Sequence, residues 1–152
     1  MRPISHTLVG IAALVLTVVT VNAAELNPAA VTFTLPDKIE WKSLPDHGGV
    51  QFANMVGDPS KPGLYIQLVK WLPGNMSRPH FHPNDRFITV LEGTWWVGTG
   101  TKYDPASTVP MPAGSFVTHF GKQVHYDGAK GEETVLLIVG DGPATITPAE
   151  EK

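Results

Sequence analysis

The chain has 152 residues, 42% apolar and 16% charged, with 11 basic and 14 acidic side chains, six histidines and no cysteine. That length suits one domain, and without thiols there is no disulfide framework and no thiolate nucleophile or ligand. A net charge of −3 offers no electrostatic footprint for nucleic acid. Gly and Pro total 29 residues spread along the whole chain. They read as turns between short elements rather than as a collagen-like or low-complexity tract.

The first element is a targeting segment. Met1 to Thr7 carries one positive charge and no acid, Leu8 to Val21 is free of charge, and Val21-Asn22-Ala23 has the small residues of a cleavage site. This is the layout of a secretory signal peptide, cut after Ala23. The alternative, an uncleaved anchor, is short of span: fourteen helical residues rise about 21 Å against a hydrocarbon core of ~30 Å. The mature chain is then residues 24–152, a single domain with 10 basic against 14 acidic side chains, secreted or held in a bacterial periplasm and free of the membrane.

Beyond the leader, helical periodicity is absent and short β-rich runs follow one another. Strands are expected at Val31–Leu35, Ile39–Leu44, Val50–Val56, Leu64–Leu72, Met76–Phe81, Phe87–Leu91, Thr94–Gly98, Ser115–Phe120, Val124–Tyr126, Thr134–Val139 and Ala144–Thr147. Val, Ile, Thr, Phe and Trp dominate them, and turn signals such as Pro73-Gly74-Asn75, Glu92-Gly93 and Pro112-Ala113-Gly114 separate them. Many short strands at roughly ten-residue spacing predict an all-β sandwich or barrel and argue against a parallel α/β sheet. No G-x-G-x-x-G loop with a following helix and no G-x-S-x-G elbow is present, so nucleotide-fold and α/β-hydrolase chemistry are not indicated.

His80 and His82 stand two apart in an expected strand, so their side chains share a face while Phe81 takes the other. They could converge on one ion or form an exposed polar pair. The surroundings carry more. Gly74-x5-His80-x-His82-x3-Arg86-x6-Gly93 resembles the first motif of the cupin superfamily, with Arg86 where that motif has glutamate. Gly114-x5-Phe120-x-Lys122-x2-His125 resembles the second motif, with Phe120, Lys122 and Ala129 in place of its Pro, Gly and Asn. The likeness, to small secreted cupins, runs roughly from Val50 to Gly142.

The resemblance implies a double-stranded β-helix, or jelly-roll barrel, with a metal inside one end. It makes His80, His82 and His125 the ligands of one divalent transition metal. Three imidazoles suit Zn²⁺, Fe²⁺, Cu²⁺ or Ni²⁺, with Mn²⁺ less favoured, and leave positions open for water or substrate. Arg86 cannot ligate a metal; either it points inward and orients an anionic substrate, or it turns away to pair with Asp85 or Glu92. Asp85 itself has the wrong strand parity to replace the missing carboxylate unless the chain bulges.

His119 is either a further ligand or proton carrier or a core histidine, and His47 belongs to a surface loop. Of Trp95 and Trp96, one lines the barrel and the other packs outside it or at a dimer contact. The expected function is a metal-dependent oxidoreductase of oxygenase type acting on a small organic, anionic molecule, with Arg86 and His119 as catalytic candidates. The alternatives are a non-catalytic cupin that binds or senses a metal or small ligand, and a metal-dependent isomerase or lyase. Pairing into a homodimer through edge strands is expected from the same likeness.

Overall fold

The structure, a computed structural model, describes residues 24–43 and 49–152. The leader and His47 lie outside these residues. Two compact units divide between Thr34 and Leu35. In the first, Asn27 closes a turn: its carbonyl accepts from Ala30 N and Val31 N, and its side chain accepts from Ala29 N. The strand expected at Val31–Leu35 does not form. Val31, Phe33 and Leu35 alternate correctly, but each is exposed and, among the described residues, no strand pairs with the segment.

Among the described residues of Leu35–Lys152, eleven strands form: β1 (Lys42–Ser43), β2 (Val50–Val56), β3 (Gly63–Trp71), β4 (His80–Phe81), β5 (Arg86–Glu92), β6 (Thr94–Thr99), β7 (Val109–Pro112), β8 (Phe116–His119), β9 (His125–Ala129), β10 (Thr134–Gly142) and β11 (Thr147–Pro148). Short 3-10 turns stand at Pro36–Lys38 and Pro105–Ser107, the latter capped by the Asp104 side chain. Among the described residues, no helix is long and apolar enough to cross a membrane.

The strands make two antiparallel sheets, ordered β1-β2-β3-β10-β5-β8 and β11-β4-β9-β6-β7. The longest ladder pairs Gly63–Trp71 of β3 with Thr134–Gly142 of β10. Tyr65, Val69, Ile88, Val90, Leu136 and Ile138 from one sheet and Trp95 and Val97 from the other fill the core. This is the all-β class expected from the strand spacing and the jelly roll that the cupin resemblance implied.

Alternation along β6 buries Trp95 completely and leaves Trp96 half-buried beneath the Lys130 ammonium. Glycine is required at two close approaches. Gly93 turns β5 into β6 with φ 71°, and a Cβ there would strike the Glu133 carbonyl. Gly98 on β6 lies flat against the Tyr126 ring, which occupies the space of its missing side chain.

Three other expectations shift. Val109–Pro112, which holds two prolines, is not among the expected strands. It forms an edge strand bonded only to β6, where a missing N–H is tolerated. Met76–Phe81 pairs only at His80–Phe81, with an isolated bridge from Met76 to Gly128; Pro79 between them has no donor to extend the ladder. At the C-terminus the paired residues are Thr147–Pro148 rather than Ala144–Thr147.

Candidate metal centre

Two cross-strand pairs, one in each sheet, build the site. In the five-stranded sheet His80 of β4 stands opposite His125 of β9. In the six-stranded sheet Arg86 of β5 stands opposite His119 of β8. His82 follows His80 by two residues and turns to the same side. The His80 ring lies 5.0 Å from that of His82 and 4.6 Å from that of His125, centroid to centroid. The sheets thus bring together all five sequence-predicted site residues: His80, His82, Arg86, His119 and His125.

The three expected ligand histidines share one anchoring scheme. His80 Nδ1 lies 2.8 Å from the Arg78 carbonyl, His82 Nδ1 3.0 Å from that of Thr145, and His125 Nδ1 3.0 Å from that of Gln123. A carbonyl only accepts, so each Nδ1 carries the proton and each Nε2 keeps its lone pair. This is the outer support that ligating histidines usually have. One ligand atom from each ring lies within 4.8 Å of the other two, close enough for small side-chain adjustments to set all three about 2.0–2.1 Å from one ion. All three are buried. The donor set therefore fits a divalent transition metal.

Arg86 points into the barrel, not toward Asp85 or Glu92. Its Nη1 donates to His82 Nε2 at 2.7 Å, and its Nε has no partner. Asp85 instead accepts the Gly121 N–H at 2.7 Å, away from the histidines. His119 is buried with both ring nitrogens unpartnered, its ring 3.8 Å from that of His125 and 5.1 Å from the Trp95 indole.

Sequence reasoning missed Asp127. It stands two residues after His125 on β9 and so shares its face, the same spacing that linked His80 to His82. Its Oδ1 accepts from Trp95 Nε1 at 3.2 Å, while Oδ2 is buried without a partner, 4.0 Å from His125 Nε2.

Burial and mutual repulsion keep the imidazoles of His82, His119 and His125 neutral. Burial first, then the Arg86 charge and the neighbouring histidines, hold His82 down to about 2. Burial, then His125 and Arg86, hold His119 down to about 2. His125 is held to about 4, chiefly by burial, with the Asp127 charge opposing. Burial also pulls the Arg86 guanidinium below its ordinary value, again against Asp127.

A cavity of about 460 Å³ leads to this cluster. Val50, Phe52, Val69, Trp71, Leu136 and Ile138 line its apolar side; His80, His82, Arg86 and Asp127 line its polar end. The residues after β10 close over it with Ile146 and Pro148, while Thr145 holds His82.

Two antiparallel sheets closed on each other, with a histidine cluster inside one end, define a cupin. The profile of the ChrR cupin-like domain matches residues 29–145. The chain belongs to that family.

Solved structures agree on the fold. The polyketide cyclase RemF from Streptomyces resistomycificus superposes with a TM-score of 0.67 at 14% identity, covering 80% of this chain and 87% of that one. Rru_A2000 from Rhodospirillum rubrum, a cupin-2 domain, gives 0.59 at 13% identity over 80% of each chain. A structure from a study of the DMSP lyases RdDddP and RnDddQII gives 0.57 at 15% identity, over 76% of this chain and 63% of that one. No curated protein matches the sequence.

Proposed function

We propose that the protein is an exported, metal-dependent cupin enzyme, an oxidoreductase of oxygenase type acting on a small organic anion. His80, His82 and His125 hold one divalent transition metal. The observation that carries the proposal is the set of three Nδ1 anchors. They turn the Nε2 atoms of His80, His82 and His125 toward one another at the polar end of an apolar cavity, beside a guanidinium that donates to His82 Nε2 and has no acidic partner within ion-pair distance among the described residues.

When bound, such an ion supplies Lewis acidity and, where redox-active, a path for electrons between an organic molecule and O₂. The protein's own groups do the rest. Once the ion takes the His82 Nε2 lone pair, Arg86 offers its donors to a substrate carboxylate and fixes its orientation. Phe52, Val69 and Trp71 hold the apolar body and exclude water. His119, neutral and against His125, carries a proton between substrate and site.

A second reading, a lyase or isomerase that uses the ion only as a Lewis acid, draws support from the unpartnered Asp127 Oδ2, a base at the edge of the site. Metal analysis combined with O₂ uptake over a panel of aliphatic and aryl carboxylates separates the readings. Iron- or copper-loaded protein that consumes O₂, and loses that activity in His125→Ala, is the expected result. Turnover without O₂ favours the second reading, and tight binding without turnover makes the protein a binding module. Export and pairing of two copies are part of the same proposal. They are tested by N-terminal sequencing of exported protein, expected to begin at Ala24, and by sedimentation.

A further inference from the structure

The geometry points to a second, inner cation position formed by His119, His125 Nε2 and Asp127 Oδ2, in which Asp127 supplies the carboxylate that position 86 lacks. The inference rests on the reading above that the histidine cluster holds a metal.

Three observations carry it. Ligand atoms of His119, His125 and Asp127 lie within 4.8 Å of one another, and all three residues are more than nine-tenths buried. Every donor in this set is free: both His119 nitrogens, His125 Nε2 and Asp127 Oδ2 lack a partner. A buried polar atom without a partner costs about 1–3 kcal/mol, so three such atoms, one from each residue and within 4.8 Å of one another, call for a common occupant. The outer set differs, because the His82 Nε2 lone pair already accepts from Arg86.

The two positions exclude each other. His125 Nδ1 is committed to the Gln123 carbonyl, which leaves one nitrogen, and one nitrogen serves one ion. Asp127 is the fixed ligand of the inner set, its Oδ1 held by the Trp95 indole so that Oδ2 faces His125. His119, held by nothing through its nitrogens, is the pivoting ligand. Two imidazoles and one carboxylate with positions left open form the set that suits ferrous iron in O₂ chemistry, whereas three imidazoles alone suit zinc or copper. An ion that moves from the outer to the inner position exchanges two imidazoles for one imidazole and a carboxylate, and the carboxylate lowers the net charge that a dication places beside Arg86.

Cobalt(II) titration of metal-free protein tests this. Wild-type protein is expected to take up one ion per chain. The variant His80→Gln/His82→Gln leaves the inner set whole and is expected to keep that stoichiometry. Asp127→Asn preserves the acceptor for Trp95, so its fold is retained, and it is expected to lower cobalt affinity at least about tenfold and to alter the visible cobalt spectrum. The inner position is overturned if the histidine double variant, folded by circular dichroism, binds no cobalt while wild type binds one. It is equally overturned if Asp127→Asn and His119→Gln both keep wild-type affinity and spectrum. Wild-type protein that takes up no cobalt overturns this inference together with the metal reading on which it rests.

Discussion

Replacing Arg86 by methionine should stabilise the metal-free protein. The guanidinium sits at the polar end of the cavity with Nε unpartnered and no carboxylate within ion-pair distance among the described residues; its one hydrogen bond goes to a neutral imidazole. An unmade buried hydrogen bond costs about 1–3 kcal/mol, and apolar replacement of buried charged groups commonly gains ~1–4 kcal/mol. Two losses subtract: His82 Nε2 loses its donor, and Asp127 loses the cation nearest its charge. Arg86 also keeps some exposure to the cavity, which places the net gain at the low end, about 1–2 kcal/mol. At about 4 °C per kcal/mol for a chain of this size, Tm should rise by roughly 4–8 °C. The assay is thermal unfolding in chelator without carboxylate or phosphate buffers, because any ligand of the native state raises Tm by mass action. The same variant should lose carboxylate binding. Arg86→Met protein melting at or below wild type would refute the view that this charge is held at a cost to stability.

Acid should weaken the metal-free fold. His82, His119 and His125 are held below the ordinary histidine value of 6.5, so below that value the unfolded chain binds protons that the native state refuses, and stability falls as pH falls. At pH 5 the penalty is about 2 kcal/mol for each such histidine; equal urea midpoints at pH 5 and pH 7 would contradict the assignment. Gly98→Ala should lose about 1–3 kcal/mol by overpacking, since its methyl would enter the Tyr126 ring; an unchanged Tm would show that the ring can move aside. Lys122 holds φ 62° while its N–H donates to the His82 carbonyl at 2.7 Å. Lys122→Gly should therefore stabilise by up to about 1 kcal/mol and Lys122→Ala should not, as denaturant melts would show.

The strands that were legible in the sequence are those whose own residues specify a half-buried surface. β2, β3 and β6 alternate or run apolar between clear turns, and their observed limits fall within a residue of the expected ones. The errors arise where pairing, not composition, decides. Val31–Leu35 has the right residues and no partner among the described residues, whereas Val109–Pro112 has two prolines and the right place at a sheet edge. The site divides in the same way. His80 and His82 were readable from two-residue parity, and His125 from the spacing of a motif. That Arg86 turns inward was not readable, because it depends on β5 pairing with β8 so that His119 stands opposite. Asp127 was readable from its parity with His125, but its significance rests on the Trp95 indole, thirty-two positions away in sequence.

The charge count of the site explains why its ligand should be an anion. With His82, His119 and His125 neutral at pH 7, the fixed charges lining the cavity beside the histidines are Arg86 and Asp127, and they cancel. A dication added to this set keeps its full charge, whereas a glutamate in place of Arg86 would leave two carboxylates to neutralise the ion. The change at position 86 thus alters the site by two units, from neutral to doubly positive. At an effective dielectric of about 20, unit charges ~4 Å apart interact by about 4 kcal/mol, so the first anionic group to reach the polar end gains several kcal/mol that a neutral molecule of the same shape does not. Selectivity for an anion therefore follows from the single substitution that departs most from the first motif. It should vanish if Arg86→Glu restores the carboxylate, a change measurable as lost discrimination between a carboxylate ligand and its amide.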